Sequence, residues 1–322
     1  MITNRNRIDL HHHVIAPELR ATLATRGIDW TGGTGLPPWS MSAALEHMAR
    51  HDIASAVASV HPHAYWPELG ENERWTRYSN EFLARVVQDD PEHFGGFASL
   101  PLPDPDAACR ELEYALDVLR LDGVHLLTSQ SGQYPGDPEL EELFQELEKR
   151  SAVVVFHPNT TPPFSNQLKV SFPASLVEFV FDTTRCIANL LYNGTFERYP
   201  SIRYIVPHAG GTIPFLASRI TMGAEFSPVL RARVPRGVVN YLRRLYYDTA
   251  VSTADVTLAA LRTFVPVSQI VYGSDFPHVH GPLQDRFTNG LDVSPVFDDA
   301  ERAAIDRENA LQLFPRFAGV TV

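Results

Sequence analysis

The residues Asp9-Leu10-His11-His12-His13, which close the first apolar run of the chain, are the first that could do chemistry. On an extended strand, side chains two apart project to one side, so His11 and His13 share a face and His12 points the other way. Two parallel imidazoles are either half of a metal site or a His-rich surface loop, and the remaining ligands must come from elsewhere. Four more apolar runs end in a similar way: Ser59-Val60-His61-Pro62-His63, Val155-Phe156-His157-Pro158, Pro207-His208-Ala209-Gly210-Gly211 and Tyr272-Gly273-Ser274-Asp275-Phe276-Pro277-His278. One such histidine alone is most simply a hydrogen-bonded structural residue. Several at one mouth are not explained that way.

Positioning them requires elements that bring distant segments together. Short apolar runs predict strands at Arg7–His12, Ser55–His61, Phe94–Leu100, Gly123–Leu127, Ala152–His157, Ile202–Pro207, Leu245–Thr249 and Gln269–Tyr272. Helical patterns lie between them, at Ser42–His51, Asn72–Gln88, Pro105–Arg120, Pro138–Arg150, Val177–Asn193, Thr212–Glu225, Pro235–Arg243 and Thr253–Phe264, and Asp298–Leu313 closes the chain. Asp104-Pro105 and Asp137-Pro138 each read as an N-cap followed by proline in the first turn. Eight strands alternating with helices predict parallel pairing and a (β/α)8 barrel, whose chemistry sits at the C-terminal strand ends. An open doubly wound sheet is the alternative, but no Gly-x-Gly-x-x-Gly follows an early strand. If the barrel closes, His11, His13, His157, His208 and Asp275 converge. Three imidazoles and a carboxylate suit one divalent first-row metal per chain, zinc by default and manganese as the other candidate. No linker or repeat interrupts the 322 residues, so one domain spanning 1–322 is expected, with a Pro- and Thr-rich active-site loop inserted at about 158–173.

Composition narrows the partners. A formal charge of −11 with no basic cluster argues against nucleic acid. No run of 18 apolar residues suggests a membrane span, and no signal-like segment opens the chain, so a cytoplasmic location is expected. Cys109 and Cys186 are too few for a disulfide framework, which leaves histidines and carboxylates as metal ligands.

At these residues the sequence resembles the amidohydrolase superfamily, and within it the decarboxylase branch named after aminocarboxymuconate semialdehyde decarboxylase. Asp9-x-His11-x-His13 with Pro17, Val155-Phe156-His157-Pro158, Pro207-His208-Ala209-Gly210-Gly211, Arg219 and Tyr272-Gly273-Ser274-Asp275-Phe276-Pro277 carry the likeness in barrel order. The stretches 95–128 and 181–220 are similar to 6-methylsalicylate decarboxylase-like members. The resemblance implies a carboxy-lyase in which His11, His13, His157 and Asp275 hold the metal and His208 is the catalytic acid or base. It also implies that Arg219 binds a substrate carboxylate, reaching into the neighbouring subunit of a homodimer or dimer of dimers. Asp275 has a second possible duty as proton donor.

Two departures bear on substrate. The semialdehyde decarboxylases carry a further substrate arginine shortly after strand one, where the segment 33–45 has Trp39 and no arginine. That favours a flat aromatic acid, an ortho-hydroxybenzoate or 6-methylsalicylate, over a muconate with two carboxylates. The histidines at 61, 63, 125, 278 and 280 cluster near strand ends; His63 and His280 read as surface residues, while His61, His125 and His278 are candidates for the pocket. Trp39, Phe276 and His278 are the expected substrate contacts, with Phe164, Phe172 and Phe181 available as apolar walls. The expected reaction is non-oxidative decarboxylation with release of CO2. Metal-dependent hydrolysis of a lactone or related ester is the alternative, weakly disfavoured because no extra carboxylate or lysine suits a second metal.

Overall fold

The computed structural model describes residues 5–27, 30–31, 34–60, 66, 68–159 and 172–322. Eight parallel strands form one sheet in sequential order: β1 (Arg7–His13), β2 (Ile53–Ser59), β3 (Phe94–Ser99), β4 (Gly123–Leu127), β5 (Val153–His157), β6 (Arg203–Val206), β7 (Tyr246–Asp248) and β8 (Ile270–Val271). The sheet closes on itself where β1 bonds the chain leaving β8. The Leu10 amide donates to the Tyr272 carbonyl at 3.0 Å, the Asp275 amide to the His11 carbonyl at 2.7 Å and the His13 amide to the Phe276 carbonyl at 2.7 Å. All eight strands expected from the sequence are present.

The helices are α1 (Pro17–Thr25), α2 (Met41–Arg50), α3 (Leu69–Asp89), α4 (Pro105–Glu113), α5 (Glu141–Lys149), α6 (Glu178–Tyr192), α7 (Thr195–Arg198), α8 (Ile213–Phe226), α9 (Pro228–Arg233), α10 (Val238–Leu242), α11 (Asp255–Phe264), α12 (Pro282–Val293), α13 (Asp299–Ala303) and α14 (Asn309–Leu313). Four of these, α1, α7, α9 and α12, were not anticipated. Helix α1 buries only Leu19 and Leu23, too little for a recognisable stripe. Gly290 lies within α12, where it lets Thr253 approach: a Cβ there would sit 2.6 Å from Thr253 Oγ1. The continuous helix expected at 298–313 is instead α13 and α14 joined by a π-helical turn, Ala304–Glu308. A similar turn, Tyr114–Val118, follows α4. Asp104 caps α4 as expected, accepting from the Ala107 amide at 3.0 Å. Asp137 does not cap its helix; its carboxylate accepts from the Tyr134 amide at 2.9 Å and from Asn189 at 2.8 Å.

The barrel interior is filled by Ile8, Leu10, Val57, Phe97, Val153, Val155, Ile205 and Val271, with the C-terminal Phe314 and Phe317 beneath. A larger apolar layer lies between strands and helices. At the floor end, the buried Arg7 donates to Asp306 in the π-helical turn at 2.9 Å and to the His51 carbonyl at 2.7 Å, and it also pairs with Asp292. Arg5 pairs with the same two carboxylates, at 2.9 Å to Asp306 and 3.0 Å to Asp292. These contacts tie β1 to the chain's last helices. Among the described residues no helix is long and apolar enough to cross a membrane.

Arg7→Met leaves the buried Asp306 with only the more exposed Arg5, and we expect a loss on the order of 3 kcal/mol in urea unfolding. The double variant Arg7→Met/Asp306→Leu should regain most of that loss; no recovery would mean the ion pair is not the source of the defect.

Candidate metal centre and active site

Strand β1 delivers two histidines to the barrel mouth through an irregularity. Its pairing with β2 shifts register between Asp9, opposite Ala56, and His12, opposite Ala58. Leu10 still points into the interior core, and after the shift His11 and His13 face the mouth. His12 faces outward as expected, its Nδ1 3.1 Å from Asp9 Oδ2 and its ring against Phe276, His47 and Phe94.

His157, ending β5, and Asp275, in the turn after β8, complete a buried group with His11 and His13 in which one ligand atom from each residue lies within 4.8 Å of the others. Ring centroids are 5.1 Å apart for His11 and His13, 5.1 Å for His11 and His157, and 4.9 Å for His13 and His157. The Asp275 carboxylate divides its oxygens. Oδ1 lies 3.2 Å from His13 Nε2 and 3.5 Å from His11 Nε2, while Oδ2 lies 3.7 Å from His208 Nε2. His208 stands beside the group, its ring 5.0 Å from that of His11.

Each strand-borne imidazole is oriented from behind. His11 Nδ1 is 2.7 Å from Asp248 Oδ2, His13 Nδ1 3.0 Å from Ser59 Oγ, and His157 Nδ1 2.6 Å from the Pro158 carbonyl oxygen. The Asp248 carboxylate and the Pro158 carbonyl can only accept, so donation from Nδ1 leaves Nε2 of His11 and His157 as a lone pair aimed at the centre, the arrangement a ligand imidazole needs, and the Ser59 hydroxyl can accept from His13 in the same way. His11 Nε2 and Asp275 Oδ1 are buried with no hydrogen-bond partner among the described residues. A divalent cation satisfies both atoms, so the residues present fit one metal ion.

The backbone supports this at some strain. His208 (φ 54°), Ala209 (φ 54°) and Asp275 (φ 62°) are non-glycine residues in the left-handed region. Gly273 permits the closest approach, since a Cβ there would stand 2.7 Å from His11 Cβ and 3.2 Å from Asp248 Cβ. Asp9 locks the two motifs together. It accepts from the His11 amide at 3.1 Å, the Ser274 amide at 3.0 Å and the Ser274 hydroxyl at 2.5 Å.

The electrostatics are uneven. Burial alone would lower His11, but the Asp248 carboxylate outweighs it and lifts the imidazole to about 9. Burial pushes His13 down to about 3, with Asp275 offsetting only part of the effect. Burial would raise Asp275, yet the His13 and His208 imidazoles facing it hold it well below the usual carboxylate range. Asp275 is therefore an anion facing two ligand histidines and one further imidazole.

The other expected site residues divide. His278 lies beside the centre, its ring 5.2 Å from His13. His125 is buried within β4, its ring 6.1 Å from His157. His280 is exposed and bonds the Pro277 carbonyl. His61, His63, Phe164 and most of the 158–173 loop lie outside the described residues. Phe276 is not a pocket wall, because its ring stacks on His47 at 4.2 Å and packs against His12, behind β1. Trp39 packs edge-on against Phe82 and lines a neighbouring cleft with Pro17 and Arg20, with no contact to the histidines among the described residues. Phe172 and Phe181 are partly exposed, at 37% and 41%. Among the described residues, Phe179 of α6 lies edge-on to the ligand His157, ring centroids 6.0 Å apart. Arg219 is exposed on α8 and makes no ion pair or hydrogen bond among the described residues. Sequence reasoning missed Asp248, Ser59 and Phe179. Asp248 alone left a signal, as a carboxylate ending an apolar strand at the catalytic mouth.

Comparison with known proteins agrees with this geometry. The amidohydrolase family profile matches residues 8–316. The 6-methylsalicylic acid decarboxylase of Penicillium expansum is 32% identical over 319 residues, covering 98% of each chain. A solved amidohydrolase II superposes with a TM-score of 0.90 at 28% identity, covering 96% of this chain and 99% of the other. A dihydroxybenzoic acid decarboxylase from Polaromonas sp. JS666, solved with bound manganese and the inhibitor 2-nitroresorcinol, shares the fold at a TM-score of 0.80 and 21% identity, with 97% of each chain covered. The chain belongs to the amidohydrolase family, in the aminocarboxymuconate semialdehyde decarboxylase-like branch that includes 6-methylsalicylic acid decarboxylase.

Proposed function

We propose that this chain is a non-oxidative decarboxylase of an ortho-hydroxybenzoate-like aromatic acid, 6-methylsalicylate being the model compound. Residues 1–322 act as one domain, and the inserted segment at about 158–173 serves the active site. The observation that carries the reading is the divided Asp275 carboxylate, one oxygen among the ligand histidines and the other beside His208. The similarity to the Penicillium expansum decarboxylase supports it.

His11, His13, His157 and Asp275 would hold one divalent ion. Zinc suits three imidazoles and a carboxylate, and the manganese of the Polaromonas enzyme makes that ion the other candidate. When bound, the ion supplies a Lewis acid that orients the carboxylate and phenolate oxygens and balances their charge. Direct loss of CO2 from an aryl carboxylate would leave an unstabilised sp2 carbanion. Protonating the ring carbon that bears the carboxylate removes that obstacle. The C–C bond then breaks, its electron pair restores the aromatic ring, and the added proton stays on carbon. Asp275, held anionic, is a poor resting store for that proton, so His208 supplies it. Phe179 forms an apolar wall against the substrate ring, and His278 and His125 border the pocket.

The homodimer extends this reading. Phe215, Met222 and Phe226 are exposed on α8 at positions that form one stripe with Arg219, the pattern of a face awaiting a partner. A second copy of the chain covers the stripe, and Arg219 enters the partner's site to bind the substrate carboxylate.

Chelator treatment should abolish CO2 release from 6-methylsalicylate, and zinc or manganese should restore it. His208→Ala should lower kcat about 10³-fold while metal content stays unchanged. Proton release from lactones without CO2 would make the chain a hydrolase instead. Mixing inactive His208→Ala and Arg219→Ala chains should restore part of the activity. No recovery in confirmed hybrid dimers would place Arg219 outside the partner's site.

A further inference from the structure

We infer that Asp248 is a positioning residue that sets the tautomer of His11 with one oxygen and holds the turn carrying His208 with the other. Its side chain is fully buried, so no solvent competes for either oxygen. Oδ2 lies 2.7 Å from His11 Nδ1. A carboxylate can only accept here, so Nδ1 carries the proton and Nε2 turns its lone pair toward Asp275 Oδ1, 3.5 Å away. Oδ1 accepts from the His208 amide at 2.9 Å and from the Ala250 amide at 3.0 Å. The His208 bond anchors the start of the two-residue left-handed segment, His208 and Ala209, that aims the imidazole at Asp275. One strand-seven carboxylate thus aligns a metal ligand from strand one with an acid–base residue from strand six.

The division of labour makes the Asp248→Asn variant diagnostic. If the oxygen of the substituted amide keeps the two backbone N–H groups, its NH2 group faces His11 Nδ1 and forces the proton onto Nε2, where a ligand lone pair is needed. If the amide flips, its NH2 group faces two N–H donors. Either way one of the two tasks fails.

The inference rests on the metal reading for its consequence but not for its primary test. In metal-free protein with 15N-labelled histidine, long-range 1H–15N spectra at alkaline pH, where imidazoles are neutral, report each tautomer, and the His11 signal is assigned by its loss in His11→Ala. Wild-type His11 should be the Nδ1–H form, and an Nε2–H form overturns the inference whether or not any variant folds. Asp248→Asn should shift His11 toward Nε2–H and weaken zinc and manganese binding about 10- to 100-fold in chelator competition. Asp248→Ala should speed amide exchange in the segment 207–211 by roughly tenfold or more. Asp182→Asn, which disturbs an equally buried carboxylate bonded to Thr128, Ser129 and Tyr134, should leave both the tautomer and metal affinity unchanged. Wild-type metal affinity in Asp248→Asn, or an equal loss in Asp182→Asn, overturns the inference. A tautomer shift in a chain that binds no metal would sink the metal reading and leave the Asp248 assignment standing.

Discussion

Burying several ionisable side chains around one point is the constraint on which the rest of this structure depends. Imidazole lone pairs and a carboxylate taken out of water are costly unless each polar atom finds a partner. The barrel meets this from behind the cluster. Asp248, Ser59 and the Pro158 carbonyl each engage the Nδ1 of one histidine, which leaves the Nε2 atoms and Asp275 Oδ1 directed at a common centre. His11 Nε2 and Asp275 Oδ1 then find nothing in the described protein to bond, which is the state of a site shaped for a cation.

Strand geometry by itself does not produce this arrangement. Regular alternation from Ile8 and Leu10, both in the barrel interior, would turn His11 outward. The register shift between Asp9 and His12 corrects the phase, so Leu10 fills the interior and His11 still reaches the mouth. Asp9 secures the shifted segment by accepting from His11 and from both donors of Ser274, which also fixes the turn carrying Asp275. The left-handed residues His208, Ala209 and Asp275 are held by the same kind of backbone capture. The opposite end is tied through Arg7 to Asp306 and by the packing of the C-terminal helices beneath the barrel.

The placement of aromatic residues shows how packing overrules motif proximity. Phe276 follows the ligand Asp275 directly, yet its ring is spent between His12 and His47 on the outer side of β1. Phe179, distant in sequence from every ligand motif, lies edge-on to His157 because α6 begins over the end of β5. The aromatic contact to a ligand histidine thus comes from a helix start rather than from the conspicuous residue next to the ligand.

Periodicity and strand-end chemistry were enough to locate all eight strands, the parallel barrel and the five converging residues His11, His13, His157, His208 and Asp275, because alternation and short connections are local properties that a chain displays along its length. The missed helices had local reasons too: α1 buries two side chains and α12 carries Gly290 for the sake of Thr253. The remainder was settled by closure. Only when β1 meets the end of β8, and β7 stands beside β6, does Asp248 come within reach of both His11 and His208. A hydrogen bond between residues 237 positions apart leaves no periodic trace in a single sequence. The sequence by itself determined which groups could do chemistry and on which strands they ride; the tertiary structure decided which ring nitrogen meets which partner, which oxygen faces which imidazole and which aromatic ring packs on a ligand histidine, because those depend on contacts that exist only once the barrel is closed.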